Sequence, residues 1–123
     1  MQESQQMLRR LAVSLPLVGA LMAGQLSAQI DAMFNPGLVG RDQTEAIRIS
    51  DRIFQATGFG NTNMVVTPAG NVIIDTSLIV NARRHKQLLQ AANDGPVEYI
   101  ILTHAHGDHI GGVSAWREEG TEI

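Results

Sequence analysis

Hydrophobic and polar positions follow two different periods along this chain, a short one before Asp75 and a longer one after it. Residues 46–50 and 52–59 alternate apolar and polar side chains in places, with Asp51 between them, which predicts two short strands joined by a turn. Two β-branched runs follow, residues 64–67 and 72–75, separated by a stretch with Pro68 and Gly70. Pro68 presets a turn dihedral, and Gly70 with Asn71 can take positive φ, so the spacing predicts a hairpin. Beyond Asp75, Ile79, Ala82, Leu88, Leu89 and Ala92 recur at helical spacings while Arg83, Arg84, Lys86, Gln87 and Gln90 fill the other positions. That predicts a helix over 81–92, with Gly95 as its C-terminal cap and Pro96 as a block to continuation. Residues 97–102 are almost all apolar or β-branched, the pattern of a strand buried on both faces. Strand, helix and strand in that order form a crossover, so residues 72–75 and 97–102 should lie parallel in one α/β sheet.

The amino-terminal residues read as a processing signal rather than as fold. Arg9 and Arg10 precede an apolar stretch over 11–24, followed by the small residues Ser27 and Ala28. The stretch holds Pro16 and Gly19 and is shorter than the roughly 20 residues that cross a bilayer, so no stable membrane span is expected after cleavage. The expected organisation is a signal peptide over 1–28, an irregular leader over 29–45 containing Pro36, Gly37 and Gly40, and a folded region over 46–123. An exported protein, periplasmic or secreted, follows. Composition adds exclusions. The chain of 123 residues is 44% hydrophobic and 17% charged, within the ordinary globular range. It has no cysteine, which rules out disulfides, iron–sulfur clusters and thiolate zinc sites. A net charge of -3 gives no basis for a nucleic-acid partner.

Chemistry concentrates in residues 103–112, directly after the apolar strand, where three of the four histidines fall. In α/β layers, sites form beyond the carboxyl ends of strands. His104 and His106, two apart in extended chain, can point to one ion. Gly107 permits a bend, after which Asp108 and His109 can serve a second ion, and Gly111 and Gly112 leave room and start a helix from Val113 close beneath it. Imidazole and carboxylate form the ligand set of catalytic zinc, and of iron or manganese. Two such ions can share a hydroxide and polarise an electrophile, Asp108 being both ligand and the group that orients the nucleophile. Thr103 is expected to hydrogen-bond within the loop, and Asp75 to cap the turn after its strand. His85, among Arg83, Arg84 and Lys86, reads as a solvated surface residue. Trp116 should pack its helix onto the sheet, and Asn61 and Asn63 should shape the turn before Met64.

The spacing HxHxDH followed by two glycines, at 104–112, resembles the signature of the metallo-β-lactamase-fold hydrolases, and residues 63–77 resemble that family's first hairpin and its strand ending in aspartate. The resemblance implies an αββα sandwich of which this chain supplies the amino-terminal half, and a dinuclear zinc site using His104, His106, Asp108 and His109. It also implies that Asp75 steadies the metal-binding loop without touching the metal. Residues 34–38, residues 53–66 and the export signal are similar to the start of the alkylsulfatase branch, which cleaves sulfate esters, although that branch more often reads HSHVDH where this chain reads HAHGDH. The implied reaction is attack of metal-bound hydroxide on an ester-like centre of a small-molecule substrate, with β-lactam, thioester and lactone hydrolysis, or oxygen chemistry on iron, as alternatives. A relative that cuts RNA is disfavoured by the export signal and the acidic balance. The family also uses two later histidines and a bridging acid. The chain is therefore expected to be an amino-terminal fragment, catalytic in its parent and inactive alone, with an open sheet edge. An inert metal-binding remnant is the rival reading. Nothing here fixes an oligomeric state.

Overall fold

Five strands form one sheet, side by side in the order in which the chain lays them down: β1 Ile47–Arg48, β2 Ile53–Ala56, β3 Thr62–Val66, β4 Asn71–Ile74 and β5 Val97–Ile101. This is a computed structural model, and it describes residues 20, 22–27, 30–31 and 35–123. The chain divides into two units, Met1–Phe34 and Asn35–Ile123. In the first, residues 22–27 and 30–31 are helical; most of the expected signal peptide over 1–28 and part of the leader lie outside the described residues. Among the described residues no helix is long and apolar enough to cross a membrane.

The first four strands are antiparallel neighbours, and β4 and β5 are parallel, joined by helix α1 over Ile79–Ala92. The crossover expected from the change of period is therefore present. In the β3–β4 hairpin Val65 faces Val72, and Thr67 and Gly70 exchange backbone hydrogen bonds of 3.0 and 3.2 Å. Gly70 takes the positive φ, +148°, without help from Asn71, which is already strand. The buried Asn71 amide instead donates to the carbonyls of Asn93 (3.3 Å) and Gly95 (2.9 Å), tying the hairpin to the end of α1. The helix stops because Asn93 turns extended at φ -156°; Gly95 is not the left-handed cap that its position before Pro96 suggested.

Two faces differ from the sequence expectation. The core comprises Ala56, Met64, Ile73, Leu89, Val97, Ile100 and Trp116, with Trp116 fully buried as anticipated. On α1 the buried stripe is Asn81, Ala82, His85 and Leu89, whereas Ile79 and Val80 are 58% and 64% exposed. His85 is thus not a surface residue. Its Nε2 donates to the Thr57 carbonyl (3.0 Å), which leaves Nδ1 to accept from the Thr62 hydroxyl (2.9 Å), so a neutral ring is satisfied on both sides. Gly58 makes the room, since a Cβ there would lie 2.7 Å from His85 Nε2. Strand β5 is buried on one face only: Val97 and Ile100 point inward while Tyr99 and Ile101 are about half exposed. A register shift explains the spacing. Asn71 pairs with Val97 and Val72 with Tyr99, so Glu98 is an extra residue that changes the phase of the strand. Glu122 pairs along the outer edge, its carbonyl accepting from the Ile100 N–H at 2.8 Å.

Burial, with the charge of Arg84 adding and the Thr57 carbonyl opposing, pushes the His85 imidazole down to about 4. The unfolded chain takes up a proton near pH 6.5 while the folded one refuses it until about 4, so stability is full above pH 6.5 and falls as pH drops through that window. Urea unfolding across pH 7.5 to 4 should show wild type losing up to about 1.4 kcal/mol per pH unit relative to His85→Gln, which keeps a donor and an acceptor but does not titrate. Parallel pH profiles for the two proteins would contradict the buried neutral ring.

Candidate metal centre

Parallel pairing brings the carboxyl ends of β4 and β5 side by side, and the residues that follow them meet across the gap. Asp75 extends the ladder by one bond, its N–H donating to the Ile101 carbonyl (2.9 Å), and then turns at φ +56°. Its carboxylate, 7% exposed, faces the start of the His-rich loop. Oδ1 accepts the Thr103 N–H (2.9 Å), Oδ2 accepts the Thr103 hydroxyl (2.8 Å), and Oδ2 also accepts His109 Nδ1 (2.7 Å). Burial alone would raise this carboxyl's pKa. Hydrogen bonds from the Thr103 N–H, His109 and the Thr103 hydroxyl, together with the charge of His109, outweigh it, and the net shift is downward. Asp75 is therefore an ionised anchor.

That anchor fixes His109. With Nδ1 against Asp75, Nε2 is the nitrogen turned outward, and it lies 3.2 Å from Asp108 Oδ2. The short helix α2, Gly107–Ile110, carries both residues, and α3, Val113–Trp116, follows. The backbone of α2 is held from β4's side: the buried Thr76 donates both its N–H (2.7 Å) and its hydroxyl (2.9 Å) to the His109 carbonyl, and its hydroxyl accepts the Gly112 N–H (3.1 Å). Gly112 is needed there, because a Cβ would collide with the Thr76 carbonyl and with Ala82.

His104 and His106 are exposed, while Asp108 and His109 are half-buried. His104 Nε2 lies 3.1 Å from His106 Nδ1, with the rings edge to face at 78°, and the His104 and His109 ring centroids are 3.9 Å apart. The four residues singled out in the sequence thus share one patch beyond the sheet. Polar contacts among the four join His104 with His106 and His109 with Asp108, and among the described residues no three His, Asp or Glu side chains converge as a ready-made cage. The set fits a divalent ion in donor chemistry, imidazole nitrogen and carboxylate oxygen, and in its location at the strand ends. Thr103 hydrogen-bonds within the loop as expected, its hydroxyl also lying 3.1 Å from His104 Nδ1. Asn61 shapes the turn before β3, accepting from the Gly58 N–H (3.2 Å), whereas Asn63 already lies in β3, opposite Gln55 of β2, and its side-chain oxygen accepts from the Gln55 amide (2.9 Å). Sequence reasoning missed Thr76 and Ser77. Their one signal was a pair of small hydroxyl residues immediately after the strand-ending aspartate.

Known proteins resemble this chain. The metallo-beta-lactamase superfamily model matches residues 56–121, more than half of the chain. An alkyl/aryl-sulfatase of Saccharomyces cerevisiae is 32% identical over 87 residues, covering 64% of this chain and 14% of that protein. A metal-dependent hydrolase of Cupriavidus metallidurans is 44% identical over 52 residues, covering 42% and 18% respectively. Among solved structures, a stereoselective inverting sec-alkylsulfatase from Pseudomonas sp. superposes with a TM-score of 0.55 at 25% identity, covering 61% of this chain and 12% of that one. The chain spans less than a fifth of each of these relatives. The family match runs from the end of β2 through the crossover and the whole His-rich loop, and on that match the chain belongs to the metallo-β-lactamase superfamily.

Proposed function

We propose that the protein is a metal-dependent hydrolase acting on an ester-like bond, a sulfate ester first among the candidates. The observation that carries the reading is the Asp75–His109 pair, in which a buried carboxylate claims Nδ1 and turns Nε2 toward Asp108. A carboxylate behind an imidazole is the usual support of a metal-ligating histidine, because it fixes the tautomer and raises the basicity of the other nitrogen. The similarity to two alkylsulfatases supports the choice of substrate. The matched part of those relatives is small, so the activity is proposed for the protein as a whole.

His104 and His106 would hold one ion, and Asp108 and His109 would contribute to a second. A bound zinc ion, or iron or manganese in its place, would acidify a coordinated water and polarise the electrophile. The chain's own residues do the rest. Asp108 carries a carboxylate oxygen at the edge of the patch, suited to accept a proton from an attacking water and to orient it. Thr103, anchored by Asp75, holds the loop from which His104 and His106 project. Export to the periplasm or beyond, supported by the pattern over residues 9–28, belongs to the same proposal.

A second reading, that these residues hold a metal ion only weakly and turn nothing over by themselves, is favoured by the exposure of His104 and His106 and by donor contacts that join the residues two by two. Metal content and hydrolysis of a small alkyl sulfate and a β-lactam, measured on this chain and on the protein with its natural surrounding sequence, test both. Turnover of the sulfate ester by the latter supports the proposal; folded protein with neither metal nor turnover refutes it.

Two substitutions sharpen the test. His104→Ala and His106→Ala should each weaken zinc binding by more than about 100-fold, beyond what loss of outer support costs, as read by competition with a chromophoric chelator. Asp75→Asn tolerates the left-handed backbone at that position but makes one carboxylate oxygen an amide donor facing Thr103 or His109. Zinc affinity should fall about 10- to 100-fold with the circular dichroism spectrum retained.

A further inference from the structure

The turn after β4 holds more than the Asp75 anchor. Ser77 is fully buried and sits at φ +62°, a left-handed conformation that a non-glycine residue adopts only where its surroundings hold it. Its hydroxyl lies 2.6 Å from the Gly60 carbonyl and 3.1 Å from the Phe59 carbonyl, in the loop between β2 and β3. The other end of that loop is held elsewhere: the Thr57 carbonyl accepts from Arg84 (2.6 Å) and His85 (3.0 Å) on α1. Gly60 in turn packs against Asp108. At φ +78° it has no side chain, and a Cβ there would run into the Asp108 carbonyl and come within 3.1 Å of the Asp108 Cβ.

We infer that Ser77 is a positioning residue whose hydroxyl, acting through the Phe59–Gly60 backbone, sets where the Asp108 end of the motif sits. Asp108 is bracketed. Thr76 fixes the carbonyl of its neighbour His109 from one side, and the loop held by Ser77 abuts its own main chain from the other. With both sides fixed, the Asp108 carboxylate is delivered beside His109 Nε2 without a direct hydrogen bond from Ser77. The inference rests on the proposed metal site for its consequence in metal affinity, but its geometric content stands in metal-free protein.

The test uses Ser77→Gly, which suits the left-handed backbone while removing the hydroxyl, and Gly60→Ala, which leaves Ser77 intact and presses a methyl group onto Asp108. In metal-free protein the Asp108 and His109 amide resonances should shift in both variants while those of Val65 and Ile73 in the sheet stay. Ser77→Gly should stay folded, with its circular dichroism spectrum retained, and its zinc affinity should fall about tenfold. Should Gly60→Ala fail to fold, Ser77→Gly decides the matter alone. Unmoved Asp108 and His109 amides in folded Ser77→Gly, or wild-type zinc affinity in it, would overturn the inference. Shifted amides in a protein that binds no zinc even as wild type would sustain the strut and refute the metal-site reading instead.

Discussion

Where β4 and β5 end, one buried carboxylate accepts hydrogen bonds from two residues of the loop beyond, and the geometry of the site depends on it. Asp75 is paired to β5 through its own N–H, to the first loop residue through the Thr103 N–H and hydroxyl, and to the short helix α2 through His109. Parallel pairing makes this possible, since only parallel neighbours finish at the same end of a sheet. The carboxylate is nearly out of water, so it stays charged only because donors surround it. Removing one of them would leave a charge with reduced compensation in a place where water cannot replace it.

Around that anchor the chain uses hydroxyl groups where a loop would otherwise leave buried polar backbone unpaired. Thr76 closes on the His109 carbonyl, Ser77 on the Phe59 and Gly60 carbonyls, and Thr62 on the His85 ring. Each is fully buried. Glycines at 58, 60 and 112 are the other half of the arrangement, because each stands where a β-carbon would strike the partner that packs against it. The exposed imidazoles of His104 and His106 thus rest on a support whose parts come from β4, from α1 and from the loop before β3.

Much of this was legible in the sequence where the information is local. The two β-branched runs around Pro68 and Gly70 marked a hairpin, and the change of period after Asp75 marked a crossover, because both follow from residues adjacent in the chain. The clustering of His104, His106, Asp108 and His109 likewise announced its location. What could not be read is what depends on contacts made at a distance. Helical spacing establishes that α1 exists, yet its inner face is chosen by the loop that lies on it: Thr57 offers a carbonyl to His85, while Ile79 and Val80 stay more than half exposed. The extra residue at Glu98 shifts the phase of β5 with no mark in the hydrophobic pattern. Thr76 and Ser77 look like ordinary turn residues until their partners 17 to 36 positions away are known.

The order of the strands has a consequence in time. Each strand from β1 to β4 finds its partner in the segment just made, so the antiparallel part of the sheet can form from short-range closures, which are the fast ones. Asp75 must wait for Thr103, 28 residues further on, and for His109 after that. Until the crossover closes, the carboxylate, the Thr76 and Ser77 hydroxyls and the inner edge of β4 stand in water. The histidine loop therefore has no anchor until the parallel pair closes, and it loses that anchor whenever the pair opens.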